Sequence, residues 1–305
     1  MIHSLGGGQG NGNPGGNSNP GGSNPGSNPG GGTNLDDKDD KTVAEAKTDA
    51  IKDLIGEAKE DGKTNVTLAV TETDEAGAIE LNLIVASLND LVRNGMGLTV
   101  QSDNGTIIFD KETLAGIAAG KPEDMSVRIV VESVPQASLT AKQQALVGNN
   151  PVIELSVWIG NTQIHDFKGT VTVKLSEIPN NVKPEDYDLL TIYRIDENGD
   201  PVEMKDAKYN AETGEITFTT DHFSLFFVAE WINPYADVNK TSWYYRSVRF
   251  ARGEGLMTGT GIDTFAPETN LSRAMIVQIL YNLEGNPSFT GGMKFDDVKS
   301  GTWTP

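Results

Sequence analysis

Two spacings of apolar residues share the chain between Thr42 and Val228, and each predicts its own kind of element. Val43, Ala46, Ala50, Ile51, Leu54, Ile55 and Ala58 recur every three or four positions, which predicts an amphipathic helix ended by Gly62. Val66, Leu68 and Val70 alternate with polar residues as a half-buried strand does, and Ile79 to Val92 fits a helix or a strand running into one. Leu98 to Val100 and Thr106 to Phe109 predict a hairpin across Asp103-Asn104-Gly105, because Asn-Gly tolerates the positive φ of tight hairpin turns. Leu114 to Ala119 follows as a short helix. Alternation then returns at Val127 to Val131, Val152 to Trp158, Gly169 to Leu175, Leu189 to Ile195, Lys208 to Asn210, Glu215 to Thr219 and Ser224 to Val228. Helices early and strands late predict an α+β, β-sandwich-like domain over 42–230.

The pattern is absent at the amino end. Gly6 to Gly32 holds only Gly, Asn, Pro, Ser and Gln in a loose Ser-Asn-Pro-Gly repeat, and an acidic run of Asp36, Asp37, Asp39 and Asp40 follows. Such a stretch buries no apolar area, so 1–41 is expected to be a disordered tether joining this part to another domain. Met1 to Leu5 has neither the basic region nor the apolar core of a signal peptide, and together with the tether this reads as a fragment of a longer protein.

Charge narrows the function classes. The 305 residues carry 43 acidic and 24 basic side chains, a net charge of −19, and no cysteine. Nucleic acid is excluded as a partner, since phosphate binding needs clustered Lys and Arg, and anionic membranes are disfavoured for the same reason. No run reaches the ~20 apolar residues that span a bilayer, so no membrane insertion is expected. Acidity without cysteine suits a soluble exported protein that uses no disulfides.

From Pro234 the composition changes. Tyr235-Ala-Asp-Val238, Trp243-Tyr244, Val248 with Ala251, Gly255-Leu-Met-Thr-Gly259, Phe265-Ala-Pro267 and Leu271-Ser-Arg-Ala274 appear in order. Trp243 is expected to open a helix with Val248 and Ala251 on one face, stopped by Gly253 or Gly255. Ser272 is expected to cap a second helix whose two stripes, Leu271, Met275, Gln278, Ile279, Leu283 and Ala274, Val277, Leu280, Tyr281, Glu284, are both largely apolar, so it should be well buried. Gly285 and Pro287 end it.

This series resembles the S-layer homology domain, whose pattern runs Asp-Val, Trp-Tyr or Trp-Ala, a helix, Gly-Leu/Ile-x-x-Gly, Phe-x-Pro, then Thr-Arg-Ala-Glu and a second helix. The resemblance implies an all-α repeat over 231–287 and the start of a truncated second repeat over 288–305, where Phe295-Asp-Asp-Val298 leads to Trp303. One departure stands out: Met275 replaces the Glu of the motif, which should weaken the cap and removes any ligand contact by that Glu. The middle segment is similar to an uncharacterised domain preceding such repeats in exported Firmicutes proteins, through Val171-Thr-Val-Lys-Leu175, the Tyr193 to Gly199 hairpin and Phe218-Thr-Thr-Asp-His-Phe-Ser224.

What the resemblance implies is a non-catalytic surface protein of the extracellular cell wall or S-layer, held noncovalently by secondary cell-wall polysaccharide that often bears a pyruvate ketal. Family members group three repeats and bind in grooves between neighbours, so further repeats are expected to be required. Arg273 matches the Arg of the motif, and its guanidinium can grip a carboxylate bidentately. Trp243 offers a stacking face for a sugar and Asp237 an acceptor for hydroxyls. Arg246, Arg249 and Arg252 add to a basic span. The structural alternatives are Trp243 as a core residue, Asp237 as a turn cap, and arginines solvated or paired with acids such as Glu254.

Three other patterns carry residues of catalytic or metal-binding type. His222-Phe223-Ser224 matches tripeptides that cleave themselves between Phe and Ser, with Ser224 attacking and His222 as base; as a strand start it has a sufficient structural explanation. Asp196-Glu-Asn-Gly-Asp200 lacks the later bidentate Glu of a calcium loop and reads as a turn. His3, His165 and His222 are too scattered for a metal site or triad, so no cofactor, metal or catalytic residue is assigned. The competing function is the anchoring fragment of an exocellular polysaccharide-degrading enzyme.

Overall fold

The computed structural model describes residues 3–5, 41–71, 77–103, 105–165 and 167–288. The first half contains β1 (His3–Leu5), β2 (Lys41–Glu45), α1 (Thr48–Glu60), β3 (Asn65–Val70), β4 (Ala78–Ile84), α2 (Val85–Arg93), β5 (Gly97–Gln101), β6 (Gly105–Phe109) and α3 (Lys111–Ala118). Next come β7 (Ser126–Ser133), α4 (Ala141–Val147), β8 (Val152–Ile159), β9 (Thr162–Ile164) and β10 (Val171–Leu175). A 3-10 segment at Pro184–Leu189 leads to β11 (Leu190–Ile195), β12 (Pro201–Met204), β13 (Lys208–Asn210), β14 (Glu215–Thr220) and β15 (Leu225–Glu230). The C-terminal region holds α5 (Tyr245–Gly253) and α6 (Arg273–Leu283).

The strands form two mixed sheets, ordered β1-β3-β5-β6-β10-β14-β13 and β12-β11-β15-β8-β7-β4-β2, with β9 on β8. Alternating burial along β3, β6 and β10 places one face of the first sheet inward, and Ile79, Leu81 and Leu83 do the same in the second. One apolar cluster draws on both sheets and on Ile51, Leu88 and Leu114 of the first three helices. Phe218 of β14 meets Phe226 of β15 across the sheets, ring centroids 5.0 Å apart. The middle domain is therefore a mixed α/β unit in which sheet dominates.

Several expectations change here. The first helix begins only at Thr48, because Lys41–Glu45 is a strand paired in parallel with β4. Thr42 and Ala44 are buried while Val43 is 43% exposed, a period of two that the isolated spacing of Val43 and Ala46 concealed. Of the two readings of Ile79 to Val92, the strand running into a helix is the one formed, as β4 and α2. The hairpin pairs β5 with β6 in antiparallel register, its Asn104 lying outside the described residues. The reading of 1–41 as wholly disordered gives way at both ends: His3–Leu5 pairs with β3, and Lys41 opens β2. The Gly-rich repeat itself lies outside the described residues.

A second cluster sits on the outer side of the β8, β11 and β15 group, where Leu139 and Val147 cover Val152, Tyr193, Ile195 and Phe227. Thr140 and Gln143 form the capping box of α4 there, with the Thr140 N–H donating to Gln143 Oε1 at 2.8 Å. A third cluster joins Leu189 of the middle domain to Trp231, Tyr235, Val238, Tyr245, Val248 and Phe265. The C-terminal region is two short helices tied by loops and turns. None of α6 is buried, against the expectation of a helix buried all round: Leu271, Ile276, Val277, Leu280 and Leu283 are exposed because no other element among the described residues covers them.

Candidate functional site

The C-terminal region is organised by a knot between its first turn and the loop at 258–266. Asn233 folds that turn by accepting from the Tyr235 N–H at 3.0 Å and donating to the Val238 carbonyl at 2.6 Å. Asp237 then accepts from two successive backbone N–H groups, Phe265 at 2.9 Å and Ala266 at 2.7 Å. These bonds favour the ionised form and hold its carboxyl below the usual carboxylate range. They also fix Ala266 at φ 62°, an uncommon conformation for a residue with a side chain. Gly259, at φ 86°, closes the far side: a Cβ there would come within 2.6 Å of the Thr264 carbonyl. Tyr235 packs edge-on against Phe265 and donates its hydroxyl to the Thr258 carbonyl at 2.9 Å. Asp237 thus acts as a turn cap, with one backbone donor on each carboxylate oxygen.

Trp243 lies just ahead of α5 and is 88% exposed, so it is not a core residue; Tyr245 takes the buried place, against Trp231. The ring of Trp243 stands edge-on to that of Tyr244, centroids 5.5 Å apart. An indole left in water at the rim of a module has the form of a stacking platform.

Arg273 is the first residue of α6 and is exposed, with no hydrogen bond or ion pair among the described residues. A cation there faces the positive end of the helix and gains nothing from the dipole. Ser272 caps the helix by accepting from the Met275 N–H at 3.2 Å, and the Met275 sulfur stands 3.5 Å from the Ser272 N–H, where the Glu of the motif would reach. The box is therefore present, with a thioether as a poor acceptor in place of a carboxylate.

The remaining arginines behave differently. Arg246, Arg249 and Arg252 recur every three residues along one side of α5, and that side faces the middle domain. Arg246 bonds the carboxylates of Asp186 and Asp188 and the Glu185 carbonyl. Arg249 and Arg252 approach the two oxygens of Glu203 at 4.0 and 3.6 Å. Lys240 bridges Glu230 and Asp186, and Glu254 pairs with Lys208 rather than with an arginine. Tyr193 accepts the Ile232 N–H at 2.7 Å, and burial pushes its phenol pKa upward. Among the described residues, Arg273 is the one of the four with no acid beside it. Sequence reasoning missed the acids that face the other three; the one signal was their three-residue period, which sets them along one side of a helix.

The rejected patterns are occupied as well. Ser224 donates its hydroxyl to the Ile195 carbonyl at 3.2 Å, and Phe223 is packed against Phe109 and Phe167. At Asp196-Asp200, the Lys142 ammonium sits 2.7 Å from the Asn198 carbonyl and 2.8 Å from Asp200. The described residues contain no group of three metal-ligating side chains, and none of their helices is long and apolar enough to cross a membrane. Phe295 to Trp303 lies outside the described residues.

Comparison with known proteins bears on the same region. Residues 234–274 match the S-layer homology domain family. An amylopullulanase of Thermoanaerobacterium thermosulfurigenes is 23% identical over 254 residues, which cover 83% of this chain and 13% of the relative. The chain therefore spans a small part of that protein, and the likeness extends well beyond the matched domain.

Proposed function

We propose that this chain, which carries an S-layer homology domain at 234–274 and so an anchoring rather than a catalytic module of the extracellular cell wall or S-layer, is held there by secondary cell-wall polysaccharide. Arg273 grips an acidic substituent of the polymer, a pyruvate ketal being the fitting one, and Trp243 stacks on a neighbouring sugar. Asp237 contributes indirectly, by holding the loop at 265–266. The observation that carries this reading is the contrast among the arginines: three face acids of the middle domain, and Arg273 is left exposed and unpaired among the described residues at a helix end that does not stabilise it. Further repeats complete the binding grooves, as the apolar surface of α6 requires a cover.

Cosedimentation with purified Gram-positive walls tests the assignment. Arg273→Ala should lower the pelleted fraction sharply and Trp243→Ala more moderately, with the folded state unchanged since both side chains are exposed. Pelleting of both variants at the wild-type level would remove these residues from the site. A second reading, that the chain is the anchoring part of a larger polysaccharide-acting enzyme, is supported by its likeness to an amylopullulanase across most of its length.

A further inference from the structure

A groove of about 310 Å³ runs between α5 and the β13 side of the middle domain. Neither Trp243 nor Arg273 lines it. Its walls carry four cations, Lys205, Lys208, Arg246 and Arg249, against the carboxylates of Asp188 and Glu254, which makes it locally basic in a chain of net charge −19. Two aromatic rings, Tyr209 and Phe250, face the same space, and Phe250 is 61% exposed although it sits on a helix.

Arg249 is the most informative residue. It is only 9% exposed, lies over the Trp231 ring at 5.8 Å and makes no hydrogen bond among the described residues; its nearest acid, Glu203, is 4.0 Å away. A buried guanidinium with unspent donors is costly unless something accepts from it. Gly253 keeps the space for it, because a Cβ there would collide with the Arg249 Nη1. Lys205 is exposed and has no ion pair among the described residues, a second unspent cation on the same groove.

We infer that this groove binds an acidic saccharide, a carboxylate meeting Lys205 and Arg249 while the sugar ring lies against Phe250 and Tyr209. Bidentate guanidinium contacts suit a carboxylate, and exposed rings suit the apolar face of a pyranose. The volume fits a small ligand or a short segment of a polymer. The site is formed jointly by the repeat and the middle domain, so the middle domain becomes part of the glycan-binding surface. The inference rests on the anchoring reading only for the source of the acidic sugar.

The full chain would be titrated by calorimetry at about 50 mM salt, where charge contacts are weakly screened, with trigalacturonate, maltotriose and inorganic phosphate as probes. Trigalacturonate should bind, maltotriose at least about tenfold more weakly, and Lys205→Ala and Phe250→Ala should each weaken trigalacturonate about tenfold. Absent binding, equal binding of maltotriose, phosphate binding as tight as that of trigalacturonate, or groove variants that match the wild type would each overturn the inference. Wall pelleting run in parallel separates the two readings. A wild type that pellets without binding trigalacturonate defeats the groove alone, and one that binds trigalacturonate without pelleting defeats the anchoring alone.

Discussion

The middle domain and the C-terminal repeat solve the problem of burial in opposite ways. In the middle domain a single apolar cluster spans two sheets and three helices, and strand after strand alternates cleanly between core and surface. The repeat has a cluster of seven residues, one of them, Leu189, belonging to the middle domain, and α6 adds none. A core that small cannot hold a fold by burial alone. The repeat is instead tied by polar links: Asp237 to the loop at 265–266, Tyr193 to Ile232, and the arginines of α5 to acids of its neighbour. Its apolar helix face and Arg273 remain exposed among the described residues.

The contrast predicts a graded set of responses. Phe218→Ala removes a ring buried between the sheets and should cost about 3 to 5 kcal/mol, read as a lower denaturation midpoint; a loss below about 1 kcal/mol would mean that the sheets do not share one core. Tyr193→Phe keeps the stacking on Phe227 but leaves the Ile232 N–H without its acceptor, and should cost about 1 kcal/mol, seen in the thermal melt. Were it silent, the hydroxyl would not be a tie between the two regions.

Asp237→Ala should act locally, accelerating hydrogen exchange at Phe265 and Ala266 while the middle domain keeps its protection. The pH dependence follows from the lowered pKa of Asp237. Its stabilisation is fully present above the carboxyl pKa of the unfolded chain and fades as pH falls through the lower folded value, so the two amides should lose protection only on strong acidification. Loss of protection near neutral pH would contradict that sign.

Arg246→Ala should cost about 0.5 kcal/mol, and less at high salt, since the ion pairs it makes are half exposed. Smallest of all, Leu280→Ala should change stability by no more than about 0.5 kcal/mol despite removing a large apolar side chain from a helix. A core-sized loss there would show that α6 is covered in solution.

Much of this was legible in the pattern of residues. Period-two runs located most strands of the middle domain, and the motif series located the repeat with both its helices. The failures have physical causes. Val43 and Ala46 fell in step with a helix that starts two residues later, so an edge strand was absorbed into it. The apolar stripes of α6 describe what the helix could cover, whereas its burial depends on partners that the described residues do not supply. The four arginines formed one basic span in sequence, yet three turn inward to Asp186, Asp188 and Glu203, acids more than forty residues away. Pairings of that kind are set by tertiary packing, and the three-residue period of the arginines marks a shared face without naming its partners.

The most direct test of the central claim is pelleting of the full chain with Gram-positive walls before and after extraction of their secondary polysaccharide. The account predicts that the chain sediments with intact walls and stays in solution with extracted ones. Equal sedimentation with both would contradict it, by showing that the chain holds to the wall through something other than that polymer.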